Sequence, residues 1–207
     1  MQKVFRGSGD LAVRHELDRL SPTSAITVSL AAGGQLADMV AIARREIPGV
    51  KVSEAGLAQF LRDDPESIFA FQRAGTLLGG IAFLYLNCRG HDALLLDDLD
   101  LGNPSREFLA RFDEVSAIYV WALAGYGRAV AGLGNVAEYL RRPRFINADY
   151  LAQPSTTAGR DLLIAIGFSP IPSFQRELWR YQRPWNRLSP HMPAPIVSAG
   201  SFADARQ

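Results

Sequence analysis

Hydrophobic and polar positions in the first third of the chain follow the periods of strands and helices in turn. The segment Ala25–Ala31 is rich in β-branched residues, which predicts a strand. In Gly33–Pro48, apolar residues recur at intervals of three and four, as is typical of an amphipathic helix that a proline ends. Ser53 is a good N-cap for a second helix, predicted over Glu54–Arg62.

A hairpin and a long connection come next. Ser67–Arg73 and Leu77–Asn87 both have strand-like composition, and the three residues between them suit a hairpin turn. Cys88–Gly102 is acidic and without a clear period, so we expect it to be irregular. Asn103, followed by a proline, would start a short helix that ends near residue 112.

The second half of the chain begins with its most apolar segment, Ala117–Ala124, whose composition predicts a central strand buried on both faces. The pattern then predicts a helix from about Arg128 to Leu140, a strand Ile146–Ala152, a helix Thr156–Ile166 with Leu162, Leu163 and Ile166 facing inward, and a last strand Phe174–Gln182. This order predicts an α/β (α+β) fold. Its mixed sheet has antiparallel N-terminal strands, a βαβαβ C-terminal half and helices on both faces.

Length and composition fit one globular domain. The chain has 207 residues, 48% of them hydrophobic and 21% charged. We expect one domain over residues 1–183 with its core in residues 25–182, and a short helix within Leu11–Leu20. Repeated prolines from Pro184 onward predict an extended or loose tail over residues 184–207.

The net charge, the hydropathy and the cysteine and histidine residues limit the classes of partner, compartment and metal site that we expect. A formal net charge of +1 gives no reason to expect a nucleic-acid partner, and no apolar run is long enough to predict a membrane helix. The single cysteine, Cys88, permits no intramolecular disulfide, which fits a reducing compartment, so we expect a cytoplasmic protein. His15, His91 and His191 share no metal-ligand spacing, and we expect no metal site.

The candidate chemistry lies directly after the apolar strand, in Gly125-Tyr126-Gly127-Arg128-Ala129. The first amides of a helix have no partner within it and bind anions, and glycines let a phosphate approach closely. Gly132-Leu133-Gly134 offers a second register. We prefer the first, because it leaves a helix of about 15 residues before Pro143, close to the mean helix length.

The element order and this turn resemble the GNAT superfamily of acyl-CoA N-acyltransferases, whose pattern here is Gln/Arg-x-x-Gly-x-Gly/Ala. Gly125 and Gly127 match, while the leading Gln/Arg position falls on Ala122. The resemblance implies that acetyl-CoA or another acyl-CoA binds as co-substrate, without a metal. Its pyrophosphate would lie at the turn, and its pantetheine arm would lie between the fourth and fifth strands. The cofactor-binding residues implied are Val120, Trp121, Ala122, Leu123, Gly125, Tyr126, Gly127, Arg128 and Ala129.

A second match to the superfamily lies in Thr156–Phe168, where Leu162, Gly167 and Phe168 fit the pattern. The tyrosine that protonates the CoA thiolate in many members falls on Leu163, which cannot donate a proton. Tyr126 and Tyr150 are the phenols nearest the expected cleft. They are therefore the remaining candidates for a catalytic acid.

Two functions stay open. One is an N-acyltransferase that moves an acetyl or other acyl group from CoA to a small-molecule or peptide amine, with backbone groups of Val120–Leu123 polarising the thioester carbonyl. The other is a catalytically silent protein that binds CoA or acyl-CoA, or serves as a scaffold. Leu163 and Ala122 favour this second function. A homodimer is compatible with both.

Overall fold

The computed structural model describes residues 25–47, 49–50, 52–111 and 115–182. The helix expected within Leu11–Leu20 and the tail expected over residues 184–207 lie outside the described residues. Seven strands form one sheet in the order β1-β2-β3-β4-β5-β7-β6. Their bounds are β1 Thr27–Leu30, β2 Ile68–Arg73, β3 Thr76–Leu86, β4 Ala117–Gly125, β5 Asp149–Ala152, β6 Phe168–Pro170 and β7 Trp179–Tyr181.

The sheet is mixed, as the sequence predicts. Strands β1 to β4 pair antiparallel, β4 and β5 pair parallel, and β7 pairs antiparallel with both β5 and β6. The α-helices are α1 Leu36–Glu46, α2 Glu54–Asp63, α3 Cys88–Leu96, α4 Leu133–Tyr139 and α5 Thr157–Ala165. Among the helices described, none combines the length and apolar character that crossing a bilayer would need.

Two hydrophobic clusters cover the two faces of the sheet. Helices α1, α2 and α3 pack on one face with Tyr119 of β4, and α4 packs on the other with Ile118. Ile118 and Tyr119 are 0% and 4% exposed, because neighbouring strand residues point to opposite faces and both faces are covered. The prediction of a central strand buried on both sides is confirmed for Ala117–Tyr119 and Ala124, whereas Val120–Leu123 are half-buried.

The caps of the helices explain where several of them begin. The Ser53 side chain accepts a hydrogen bond from the amide of Gly56 at 3.0 Å, which confirms the predicted cap of α2. Thr156 caps α5 in the same way through the amide of Gly159, at 2.9 Å. Within α5, Leu163 is buried as expected. Ile166 is 41% exposed, and its predicted inward orientation is wrong.

The expectation that Cys88–Gly102 is irregular is wrong, because its first part is α3. Asn87 caps this helix by accepting from the amide of Gly90 at 2.9 Å, and Leu94 is buried against the sheet. Asp97 ends it in a left-handed conformation, with φ +65°. The short helix expected after Asn103 is also wrong, since the described residues there form a single 3-10 turn, Arg106–Phe108.

Strand and helix bounds in the C-terminal half differ from the predictions in three places. The expected helix from Arg128 begins as a 3-10 segment, Gly127–Gly132, and continues as α4. The strand expected from Ile146 starts only at Asp149, after a 3-10 turn. The long strand expected over Phe174–Gln182 is three residues of β7, and β6 pairs with it where no strand was expected.

A charged cluster joins two loops at the end of the sheet away from Gly125. Arg144 forms an ion pair with Asp64 and a second one with Glu66 at 3.3 Å, and Arg142 contacts Glu66 at 3.0 Å. Partial burial raises the pKa of Glu66, but the Tyr139 hydroxyl and the two guanidinium groups outweigh it and hold this pKa below 4.5. The cluster therefore ties the loop before β2 to the loop before β5.

Candidate functional site

Strands β4 and β5 part halfway along β4. Their parallel ladder runs from the pair Ala117–Asp149 to the pair Val120–Ala152, whereas the ladder between β4 and β3 continues to Gly125. In the described chain, the β5-facing edge of residues 121–125 is therefore left without a strand partner. Backbone amides and carbonyls along such an edge remain available to a ligand.

A bulge in β4 lies at this point of separation. Ala122 pairs with Ala82 and Val120 pairs with Phe83, so Trp121 is the additional residue on β4. Bulges bend the strand that carries them and are common next to functional sites. The Trp121 ring meets Phe60 edge-on, with the ring centroids 4.8 Å apart, and its Nε1 donates to the carbonyl of Leu101 at 2.7 Å. Trp121 is thereby fixed on the face that carries α1 and α2.

The loop after β4 presents free amides beside this open edge. Tyr126 is in extended conformation, and its amide donates to the carbonyl of Leu78 at 2.9 Å. The 3-10 segment then begins at Gly127. Its first internal bond runs from the amide of Ala129 to the carbonyl of Tyr126, at 2.9 Å. The amides of Gly127 and Arg128 precede that bond, so no carbonyl of the helical segment is placed to accept from them.

Two glycines make this loop compact and open to a ligand. Gly127 has φ +52°, and a Cβ added to it would meet no atom within 4 Å. Gly125 is different, because a Cβ there would lie 2.8 Å from the Cβ of Ala129. Gly125 thus allows the helical segment to start close to the strand, while Gly127 faces open space in which an anion could approach the amides.

The alternative register, Gly132-Leu133-Gly134, lies inside the helical segment and not at its start. A Cβ on Gly132 would lie 2.9 Å from the Phe71 ring and 3.0 Å from the Val28 side chain. Gly132 is therefore a packing position against the sheet. Gly134 is exposed, with nothing near its Cα that a side chain would meet.

The two candidate phenols have different surroundings. The Tyr126 ring lies under the guanidinium of Arg45 from α1, whose Cζ is 3.7 Å from the ring centroid. The Tyr150 hydroxyl donates to the carbonyl of Leu140 at 3.2 Å, and its ring packs edge-on against Tyr181. Tyr150 lies opposite Ile118, in the paired part of β4, so it is not at the open edge of β4.

A polar cluster that the sequence reasoning missed lies where the strands part. The Tyr119 hydroxyl donates to Oε1 of Gln153 at 3.4 Å, and Nε2 of Gln175 donates to the same oxygen at 3.4 Å. Nε2 of Gln153 donates to the carbonyl of Arg176 at 2.7 Å. Burial raises the pKa of the Tyr119 phenol above its usual range, so it keeps its proton at neutral pH. No local motif marks these residues, since they are distant in sequence and Tyr119 has the pattern of a core residue.

The remaining site positions are apolar. Leu163, which stands where the resemblance places a tyrosine, is 7% exposed and packs with Ala152 and Trp179. Ala122 and Ala124 border a small cavity of about 30 Å³ beneath α1. Among the described residues, no group of three or more His, Cys, Asp or Glu side chains could hold a metal ion.

The fold is similar to that of several solved GNAT or GNAT-like proteins. The GNAT-like decarboxylase GphF, solved with isobutyryl-CoA, is 14% identical with a TM-score of 0.50 over 68% of this chain and 72% of its own. A GNAT-family acetyltransferase from Streptococcus agalactiae 2603 is 11% identical with a TM-score of 0.51, over 75% and 92% of the two chains. The loading GNATL domain of CurA from Lyngbya majuscula is 10% identical with a TM-score of 0.50, over 62% and 64%.

The match to the CurA domain thus spans less than two thirds of that domain's length. No protein-family model and no curated protein matches the chain. The three solved structures are 10–14% identical to this chain, so their likeness to it shows a shared fold and nothing finer. The predicted GNAT-like architecture is confirmed.

Proposed function

We propose that the chain binds acyl-CoA and transfers its acyl group to an amine. The observation that carries the proposal is the parting of β4 from β5 next to a helix start with two free amides. An extended thioester arm fits the unpaired edge of β4, and a diphosphate fits the amides of Gly127 and Arg128. The solved GphF structure, which shares this fold, contains isobutyryl-CoA.

The backbone supplies most of the chemistry in this proposal. The amine nitrogen bonds to the thioester carbon and the carbon–sulfur bond breaks. The amine then loses a proton, and the released thiolate takes one up. Backbone amides of Val120–Leu123, where the paired part of β4 meets its open edge, would stabilise the charge that develops on the carbonyl oxygen. Trp121 and Ala122 contribute as backbone at the bulge, since their side chains face α1 and α2.

The loop residues complete the cofactor site. Gly125 and Gly127 shape the turn, Arg128 adds a positive charge beside the diphosphate, and Ala129 supports the start of the helix. Tyr126 is the phenol of the loop itself and stays a candidate for the acid that protonates the thiolate. Tyr150 is the weaker of the two candidates, because its hydroxyl already donates to Leu140.

A silent acyl-CoA-binding protein is the second candidate function, and a specific observation favours it. Leu163 is buried in an apolar cluster where many acyltransferases of this fold carry a proton-donating tyrosine. Under this alternative, CoA occupies the same cleft and no acyl transfer follows. The acceptor, an amine on a small molecule or a peptide, belongs to the first candidate only.

Two measurements separate these possibilities. Titration of the full chain with CoA, acetyl-CoA and longer acyl-CoAs, followed by thermal unfolding, should raise the melting temperature, because a ligand that binds only the folded state stabilises it. No shift at millimolar concentration of any of them would refute both candidates. Thiol release from acyl-CoA in the presence of a panel of amines distinguishes the enzyme from the silent binding protein.

A further inference from the structure

Helix α1 brings a positive charge to the loop after β4. Its residues Met39 and Ala43 pack over Ala122 and Ala124, so α1 crosses the C-terminal half of β4. Two arginines lie in its last turn and point to different partners. Arg44 donates through Nε and Nη2 to the carbonyl of Val52, at 3.2 and 2.9 Å. Its guanidinium is therefore bound to the segment between α1 and α2.

Arg45 is instead held against the loop. Its Cζ lies 3.7 Å from the centroid of the Tyr126 ring, and its Nε lies 3.3 Å from Oε1 of Glu46. In the described part of the chain, neither of its terminal nitrogens has a hydrogen-bond acceptor. A guanidinium stacked on an aromatic ring keeps the N–H groups at its edge available, and their geometry matches two oxygens of a phosphate.

The position of Tyr126 decides which ligand this guanidinium would meet. Tyr126 directly precedes Gly127 and Arg128, whose amides are the free donors of the loop. A cation held over Tyr126 therefore lies over the residue that directly precedes those two donors. Strand β4 carries Ala122 at the position that the superfamily pattern gives to a glutamine or arginine donor.

We propose that Arg45 is a cofactor-binding residue that contacts the diphosphate of CoA, supplied by α1 in place of the donor that Ala122 cannot provide. Tyr126 acts as the platform that holds its guanidinium in place. This inference rests on the proposed function, since it requires CoA to bind at the loop. It assigns the site a residue from a distant part of the chain.

The test compares Arg45→Met with Arg141→Met, which removes the same charge from a side chain that is 76% exposed and pairs with Glu138. Binding of CoA, dephospho-CoA and pantetheine to each full-length variant is measured by calorimetry. We expect Arg45→Met to lower the affinity for CoA and for dephospho-CoA about tenfold, which is the effect of losing one charged hydrogen bond. Its affinity for pantetheine should stay unchanged. Arg141→Met should bind all three ligands as the wild type does.

Several results would overturn the inference. Equal CoA affinity in the two variants would make Arg45 an ordinary surface charge. An equal loss for pantetheine would indicate a general disturbance of the cleft, and a loss confined to CoA would place Arg45 at the 3′-phosphate. If Arg45→Met without ligand melts at a lower temperature than the wild type, the comparison is made with Arg45→Lys instead. Lysine keeps the charge but not the planar guanidinium, so this variant should lose part of the CoA affinity. A wild type that binds no CoA would refute the proposed function itself.

Discussion

Replacing Gly127 by glutamate tests the assignment of the phosphate loop. The new side chain would project into open space, because a Cβ at Gly127 meets no atom within 4 Å. No clash therefore complicates the result. Gly134→Glu is the matched control, since it adds the same charge at an exposed position of the same helical segment, in the alternative register.

The two variants should differ in both stability and binding. At φ +52°, a non-glycine residue costs about 1 kcal/mol, which lowers the melting temperature of a protein of this size by about 2–4 °C. Gly134→Glu should raise it, because glycine within a helix is about 0.5–1 kcal/mol less favourable than a good helix former. A carboxylate about 4 Å from a phosphate repels it. The repulsion weakens CoA binding by about 1 kcal/mol in bulk water and by about 4 kcal/mol near a protein surface. Gly127→Glu should thus weaken CoA binding by about fivefold or more.

Calorimetric titration of both variants with CoA, alongside melting curves without ligand, provides the measurement. Gly127→Ala separates the backbone strain from the charge, since it should melt like Gly127→Glu and lose less CoA affinity than Gly127→Glu does. If Gly127→Glu binds CoA as tightly as the wild type, the loop assignment is refuted. If Gly134→Glu alone loses binding, the second register is the phosphate site.

Two further predictions concern stability. The Glu66 carboxylate has a lowered pKa in the folded protein, so its contribution is present above about pH 4.5 and is lost as the pH falls through the folded-state pKa. Melting curves should show Glu66→Gln below the wild type at pH 7, with the gap closing under acid, and a gap that is constant with pH would contradict this reasoning. Ser53→Ala removes the cap of α2 and should cost about 1 kcal/mol in chemical unfolding, whereas Ser53→Asp should restore most of it. Equal unfolding of wild type and Ser53→Ala would show that the cap contributes nothing.

The parts of the fold that the sequence predicted well are those whose side-chain pattern directly reflects burial. Helices α1 and α2 each bury one regular stripe, and β4 is apolar because both of its faces are covered. Helix α3 was missed for the opposite reason. Its apolar face is short and lies among acidic residues, and its start depends on Asn87. Strands β6 and β7 have three residues each, too few for a period, and they exist because they pair with each other and with β5.

The candidate site was predictable only in its local part. Gly125–Arg128 could be located from sequence because a buried strand, a glycine turn and a helix follow one another there. The contact between Arg45 and Tyr126, and the cluster of Tyr119 with Gln153 and Gln175, depend on how distant elements pack. Single residues in otherwise ordinary segments carry no periodic signal, so neither arrangement could be read from the chain.

The parting of β4 and β5 also has a mechanical consequence. In the described sheet, four strand residue pairs join the block of β1–β4 to the block of β5–β7, whereas eight join β3 to β4. This junction is half as long as the one between β3 and β4, and parts of a protein that are held by few pairings open more readily. Amides of β5 and β7 should therefore exchange with solvent faster than those of β3. A ligand lodged along the unpaired edge would join the two blocks and slow that exchange.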